Sequence, residues 1–329
     1  MIELETPHSS YAGRSRTLIK LSNGVVIDAL GDSGSVLMGY GLPQNWIDIY
    51  ITRTLELKEH AFASKTTTAN GMGEFTIWRY PEFIQDLPDG NKINRHGFTQ
   101  PGIEAEMRKL RRFCRRVGTP VVNVCPWTKQ DVIELVAHTN DLDCGAIELT
   151  QTCGNVRPIT PYWGAYLVEE YGKRSIHPVI AKIGLGHQGT LEEEYRTLRI
   201  RAHLLREHVE ALNLGNTVWH EFVFPGQKMP FPGMVSGPAI KRFNLEAARQ
   251  VCESGDYINR LIVGGGIVCR EDIEEYLRYG DAVKIGTGLL RHPTLLEEAE
   301  RAVRIRDQPP AQGIAHMDAI LDVNRSLKL

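Results

Sequence analysis

The sequence is short of several features that would announce a function directly. Its six cysteines, Cys114, Cys125, Cys144, Cys153, Cys252 and Cys269, include no C-x-x-C pair. That argues against an iron-sulfur cluster, a zinc ribbon or a thioredoxin-type motif, and free thiols in a reducing compartment are the expectation. No metal site is expected. No stretch approaches the ~18 uninterrupted apolar residues needed to span a bilayer, and the opening run MIELETPHSSYAGRSR lacks the apolar core of a signal peptide. A cytoplasmic protein with no membrane partner is expected. Basic charge is not in excess either: 38 lysines and arginines face 40 acids, for a net charge of -2. With no broad basic field to attract a phosphate backbone, nucleic acid is not expected as a partner. Internal repeats, low-complexity runs and an interdomain linker are missing as well, so residues 1–329 are read as a single domain, with 1–20 as an N-terminal extension.

What the chain does contain is alternation. Short runs rich in β-branched residues take turns with amphipathic segments from one end to the other, as when parallel strands are joined by helical crossovers. The runs fall at Val25 to Leu30, His60 to Lys65, Pro120 to Cys125, Gly145 to Thr150, Pro178 to Gly184, Val209 to Gly215, Leu261 to Gly265 and Ala282 to Gly286. Their number is that of a (β/α)8 TIM barrel. Thr128 with Asp131, Thr190 with Glu193 and Thr294 with Glu297 each place a hydroxyl three residues before an acid, a helix-start signature.

Two connections exceed what a minimal barrel needs, residues 66–92 and 217–236, and both are rich in Gly, Pro and aromatics. Loops after barrel strands emerge on the C-terminal face, where barrel enzymes build their sites, so these two are read as long active-site loops. The plainer reading is a pair of tolerated surface insertions.

On the barrel reading the strand ends gather Gly31, Lys65, Cys125, Thr150, Cys153, Lys182, Asn216, Gly265, Gly266, Gly286 and Thr287. The glycines of VGGGIV and KIGTGLL follow the last two strands, where backbone amides approach a ligand phosphate in many barrels; otherwise they are turn glycines. Lys182 ends the apolar run PVIAKIG, so its ammonium should project into the barrel mouth and need an anion or an acceptor. Lys65 is expected to converge on it from the second strand, although a strand-end lysine is often a snorkelling surface residue. Cys153 lies three residues past the fourth strand; as a thiolate beside Lys65 or Lys182 it would serve as a general base, and as an ordinary free cysteine it would be inert filling. Gly184, Gly186 and Gly189 spell G-x-G-x-x-G, but Glu192, Glu193 and Glu194 crowd the following helix start and would repel a pyrophosphate, so a dinucleotide site is not expected there.

These residues resemble a known family. KINRHGFTQPG (92–102), IELTQTCGNV around Cys153, Lys182, LNLGNT (212–217), VSGPAIK, VGGGI and IGTGLL occur in the order found in dihydroorotate dehydrogenases, from about Val25 to the end. The resemblance implies FMN, with its phosphate near Ser236, Gly237, Gly265, Gly266, Gly286 and Thr287, its ring against Ala29, Gly31 and Asn123, and Lys65 and Thr66 also touching it. Lys182 would face the N1/O2 edge and stabilise reduced flavin. Lys65, Asn94, Thr150, Asn155, Asn216 and Thr217 would hold dihydroorotate over the ring. Cys153 would remove a proton while the adjacent carbon gives hydride to flavin N5, yielding orotate for pyrimidine biosynthesis. Cysteine at this position matches the soluble class, which implies a homodimer that reoxidises on fumarate.

Three positions depart from the family. Thr150 stands where an asparagine bonds the pyrimidine, Gly154 replaces a proline, and the loop TTTANGMGEFTIWR after Lys65 lacks the usual basic, proline-rich pattern. All three touch substrate rather than cofactor, so a relative acting on a different cyclic or unsaturated substrate is the alternative. Beside these enzymes stand a non-catalytic flavin-binding protein, a tRNA-modifying flavoprotein, disfavoured by the missing basic surface, and a flavin-free phosphate-binding barrel.

Overall fold

Parallel strands buried on both faces read as apolar runs, and eight such runs close on themselves here. The computed structural model describes residues 18–32, 59–72, 83–95, 97, 100–153, 155, 159–186, 189–255 and 260–307. Most of the expected N-terminal extension, residues 73–82 of the first long loop, and Gly154 lie outside them. Among the described residues the ring is β3 (Ala29–Asp32), β4 (Ala61–Ala63), β7 (Thr119–Val124), β8 (Ala146–Thr150), β9 (Val179–Ile183), β10 (Ala211–Leu214), β13 (Arg260–Gly264) and β14 (Ala282–Ile285). Neighbours pair in parallel all the way round, and β14 returns to β3, so the chain forms a (β/α)8 TIM barrel.

Period-two alternation decides what fills the ring. Val122, Val124, Ile147, Leu149, Ala181, Ile183, Leu212, Leu214, Val263 and Val283 point outward into the main core, shared with the surrounding helices. Leu30, Val121, Ala146, Ile180, Ala211, Ile262 and Ala282 point inward. Several of these are alanines, and the room they leave is filled by Ile19, Leu21 and Ile27 of a hairpin, β1 (Ile19–Lys20) and β2 (Val26–Ile27), which plugs the N-terminal end. The first expected strand is therefore divided: Val26 and Ile27 belong to the plug, and the barrel strand starts at Ala29. Asp28 sits at the division, with its carboxylate bound to Arg304 of the last helix at 2.8 Å.

Helices α1 (Ile103–Cys114), α2 (Lys129–Thr139), α3 (Pro161–Gly172), α4 (Leu191–Leu205), α5 (Lys241–Ser254), α6 (Arg270–Tyr276) and α7 (Leu295–Asp307) lie outside the ring. Thr128 with Asp131 and Thr190 with Glu193 form reciprocal capping boxes. Thr294 differs from its expected pairing: its hydroxyl reaches Glu298 at 3.2 Å, one residue beyond Glu297.

The two long loops meet. Ile84–Asp86 (β5) and Lys92–Asn94 (β6) from the first, and Val218–Trp219 (β11) and Met234–Ser236 (β12) from the second, form one antiparallel sheet in the order β11-β12-β6-β5. Arg95 fastens it, with its guanidinium 5.6 Å from the Phe83 ring centroid and 5.1 Å from that of Phe231.

Candidate functional site

One step further up each strand, the inward positions turn polar. Asn123, Glu148, Lys182, Asn213 and Lys284 follow, two residues on, the inward Val121, Ala146, Ile180, Ala211 and Ala282. Glu148 is 0% exposed and organises this layer. It accepts from Lys284 Nζ at 2.8 and 3.0 Å, from Asn213 Nδ2 at 2.5 Å, and from Asn123 Nδ2. Thr150 donates its hydroxyl to Asn123 Oδ1 at 2.8 Å, so both ends of that amide are fixed by the protein. Asp32, at the end of β3, lies 3.3 Å from Lys182 Nζ and 3.1 Å from Lys284 Nζ. Burial would lower the Lys284 pKa, but the carboxylates of Asp32 and Glu148 outweigh it and hold the ammonium raised.

Above this floor a cleft of about 440 Å³, part of it open to solvent, is lined by Asp32, Lys182 and Lys284 on one side and by glycine-rich turns on the other. The turns supply Gly215, Ser236, Gly237, Gly264, Gly265, Gly266, Gly286 and Thr287, with Asn216 and Thr217 between them. Here glycine is required by close packing. Gly266 has φ +81, and a Cβ on it would lie 2.7 Å from the Lys241 amide nitrogen and 3.0 Å from the Gly237 carbonyl. The turns after β12 and β13 thus close into a wall of backbone at the start of α5, with the Thr287 turn adjoining it. Backbone amides beside a helix N-terminus make a fitting seat for a phosphate.

Cys153 is partly buried in a nest with Cys125, Ile159, Met72 and Trp127, and its neighbour Thr152 is bonded by Asn216 of the cleft. Burial pushes the Cys125 thiol well up, while Trp127 Nε1 donates to its sulfur at 3.1 Å. The flanking loop is tied to the long-loop sheet: Asn216 Nδ2 donates to the Thr152 carbonyl at 3.0 Å, and Asn155 Nδ2 to Asn94 Oδ1 at 2.8 Å. Asn94 in turn donates to the Met234 carbonyl at 3.2 Å. Arg201, buried and with its pKa brought down to about 10 by desolvation, donates to the Ile159 carbonyl and braces the far side of the nest.

The structure therefore gathers Lys182, Asn216, Thr217, Ser236, Gly237, Gly265, Gly266, Gly286 and Thr287 around one cleft, and joins Asn94, Asn155 and the Cys153 loop beside it. Ala29 and Gly31 lie on β3, where Gly31 faces the Phe62 ring, and Thr66 follows β4. Lys65 follows β4, two residues beyond the inward Ala63. Burial lowers its pKa to about 8, and the charged groups acting on it, Glu106 and Lys109, belong to α1. Lys284 brings an ammonium to the same carboxylate, Asp32, that Lys182 contacts. The G-x-G-x-x-G run is closed to phosphate: the Gly186 amide donates to Glu194 Oε2 at 2.5 Å, and Glu193 caps Thr190. Asp32, Glu148 and Lys284 were not singled out by the sequence reading. Their signal is a charge at an inward position of an apolar strand, visible only once the strand's facing is fixed.

No protein-family profile matches the chain. Among curated proteins it is similar to "Dihydroorotate dehydrogenase B (NAD(+)), catalytic subunit" of Alkaliphilus metalliredigens, 27% identical over 216 residues, covering 62% of this chain and 68% of that one. The protein of the same name from Geobacter sulfurreducens is 28% identical over 218 residues, again covering 62% and 68%. In fold it is similar to DHODH from Eimeria tenella. The complex with ferulenol gives a TM-score of 0.63 at 15% identity, covering 88% of this chain and 85% of that one, and the ligand-free form gives 0.64 at 16%, covering 88% of each. The chain resembles dihydroorotate dehydrogenases in sequence and, separately, in fold.

Proposed function

From the similarity to dihydroorotate dehydrogenases as premise, we propose that this protein is an FMN-dependent dehydrogenase acting on a CH-CH bond, with dihydroorotate as substrate and orotate as product. The observation that carries the reading is the meeting, at one rim of the barrel, of a backbone-walled phosphate seat, the Lys182 ammonium and the asparagine-tied loop of Cys153. Bound FMN would supply the hydride acceptor. Ser236, Gly237, Gly265, Gly266, Gly286 and Thr287 would hold its phosphate, and the amide-rich inward layer, with Ala29, Gly31 and Asn123, would underlie its ring.

The chain's own part is binding, orientation and one proton. Cys153, as thiolate, takes the proton from carbon and becomes the thiol, while the bonds from Asn216 and Asn155 hold its loop in place. Lys182 offers positive charge where negative charge develops. Asn94, Asn155, Asn216 and Thr217 supply amide and hydroxyl partners for a planar cyclic amide. Thr150, spent on Asn123, offers less to substrate than an asparagine would, which favours a related cyclic amide as the second reading. The relatives are named as an NAD(+)-type catalytic subunit, which favours an electron-transfer partner over a fumarate-using homodimer.

The test is anaerobic addition of dihydroorotate to the FMN-loaded protein. Bleaching of the flavin absorption with release of orotate is the expected result; a folded, FMN-loaded protein that stays yellow rejects dihydroorotate. Adding fumarate or NAD(+) to the reduced protein then separates the acceptors.

A further inference from the structure

Among the described residues, the ammonium groups of Lys182 and Lys284 both reach the barrel mouth, and one carboxylate engages both. Asp32 Oδ2 lies 3.3 Å from Nζ of Lys182 and 3.1 Å from Nζ of Lys284, and all three residues line the cleft. Glu148, fully enclosed beneath them, engages Lys284 from the other side at 2.8 Å. These two carboxylates and two ammoniums sum to zero. Lys182 therefore presents to an anion in the cleft a charge that Asp32 largely offsets. Both side chains are only slightly exposed, 11% for Lys182 and 13% for Asp32, so solvent screens the pair weakly.

We propose that Asp32 is a positioning residue that, through its contact with Lys182, lowers the site's preference for anionic reduced flavin over neutral oxidised flavin and so holds the flavin potential down. The inference rests on the reading that FMN lies over the barrel mouth. Its physical basis is sign and place. Reduction would add negative charge above Lys182, and among the described residues Asp32 is the carboxylate in contact with Lys182, whereas Glu148 is committed to Lys284, Asn213 and Asn123 one layer down. Lys284 then serves to hold Asp32 in place beside Lys182.

The experiment is spectroelectrochemical titration of the FMN-loaded wild type, Asp32→Asn, Asp32→Glu and Asp28→Asn. Asp28 makes the same change of charge at the opposite end of the barrel, where it pairs with Arg304. Asp32→Asn is expected to favour reduced over oxidised flavin at least tenfold relative to wild type, a rise of about 30 mV for a two-electron couple. Asp32→Glu should return the potential toward wild type, and Asp28→Asn should leave it unmoved. An unchanged or lowered potential in FMN-loaded Asp32→Asn overturns the inference and leaves the flavin reading standing, as does an equal rise in Asp28→Asn. A wild-type protein that takes up no FMN overturns the flavin reading and the inference with it. Where Asp32→Asn does not fold, Asp32→Ser gives the same readout.

Discussion

Lys284 Nζ lies 2.8 Å from one oxygen of Glu148 and 3.0 Å from the other, an ion pair closed inside the ring between residues 136 apart in the chain. Removing one member of a buried pair costs up to about 3–5 kcal/mol, and Glu148→Gln leaves Lys284 with Asp32 as its remaining carboxylate. Glu148→Gln is expected to lose up to that much in urea unfolding at neutral pH. The double variant Glu148→Gln, Lys284→Met should lose less than the two single losses added together. A loss under about 1 kcal/mol for Glu148→Gln would contradict the pairing.

At the other end of the barrel His60 Nδ1 lies 2.8 Å from Glu300 Oε1, joining the start of β4 to α7. The Glu300 hydrogen bond, partly opposed by burial, raises the His60 pKa. A raised histidine pKa contributes stability that is complete below the ordinary value of about 6.5 and is lost as pH rises through the folded-state value. The urea midpoint should therefore fall more between about pH 6 and pH 8 in wild type than in His60→Gln. Equal slopes in the two proteins would show that the pair carries no linkage.

Lys65 gives the opposite slope. Burial drives its pKa from 10.5 down to about 8, so between those values the folded chain binds fewer protons than the unfolded one. Stability from this residue should rise with pH across that window. Lys65→Met is expected to melt higher than wild type at pH 7, with the advantage disappearing by pH 10.5. A variant no more stable than wild type at pH 7 would mean that the ammonium is better compensated than its burial implies.

Gly215 holds φ +134, and a Cβ there would lie 2.2 Å from the Gly264 carbonyl oxygen. Strain of this kind costs on the order of 1–3 kcal/mol. Gly215→Ala should lower the thermal midpoint and weaken cofactor retention, because the same turn leads directly into Asn216 and Thr217 of the cleft. Unchanged melting would mean that the crossing has room the geometry does not show.

Cys153→Ala tests the chemistry itself. If the sulfur takes the proton, anaerobic stopped-flow should show flavin reduction slowed about 10²–10⁴-fold, with the bound flavin spectrum preserved. An unaltered rate would assign the proton to another group.

The ring was legible in the sequence because strands buried on both faces must be apolar, and eight such runs stood clear between capped helices. Lys182 and the two glycine runs were legible for a related reason: a charge or a glycine pair at a strand's end interrupts an expected pattern. The small sheet was not, since strands of two or three residues in glycine- and proline-rich loops carry no periodicity, and the pairing that joins the two loops spans more than a hundred residues. Glu148 and Lys284 escaped because each looks like an isolated blemish in AIELT and AVKI until the ring closes and brings them together. The burial that lowers the Lys65 pKa, and the α1 charges that act on it, depend on tertiary packing, which the local sequence does not encode.

The pairing of β6 with β12 ties the two excursions from the barrel to each other. Neither can be swapped singly for its counterpart from another barrel without leaving half a sheet with bare edges. Divergence toward a new substrate, in nature or at the bench, is thereby coupled across the rim: a chimera that transplants both segments together preserves the roof, while one that transplants either alone takes it apart.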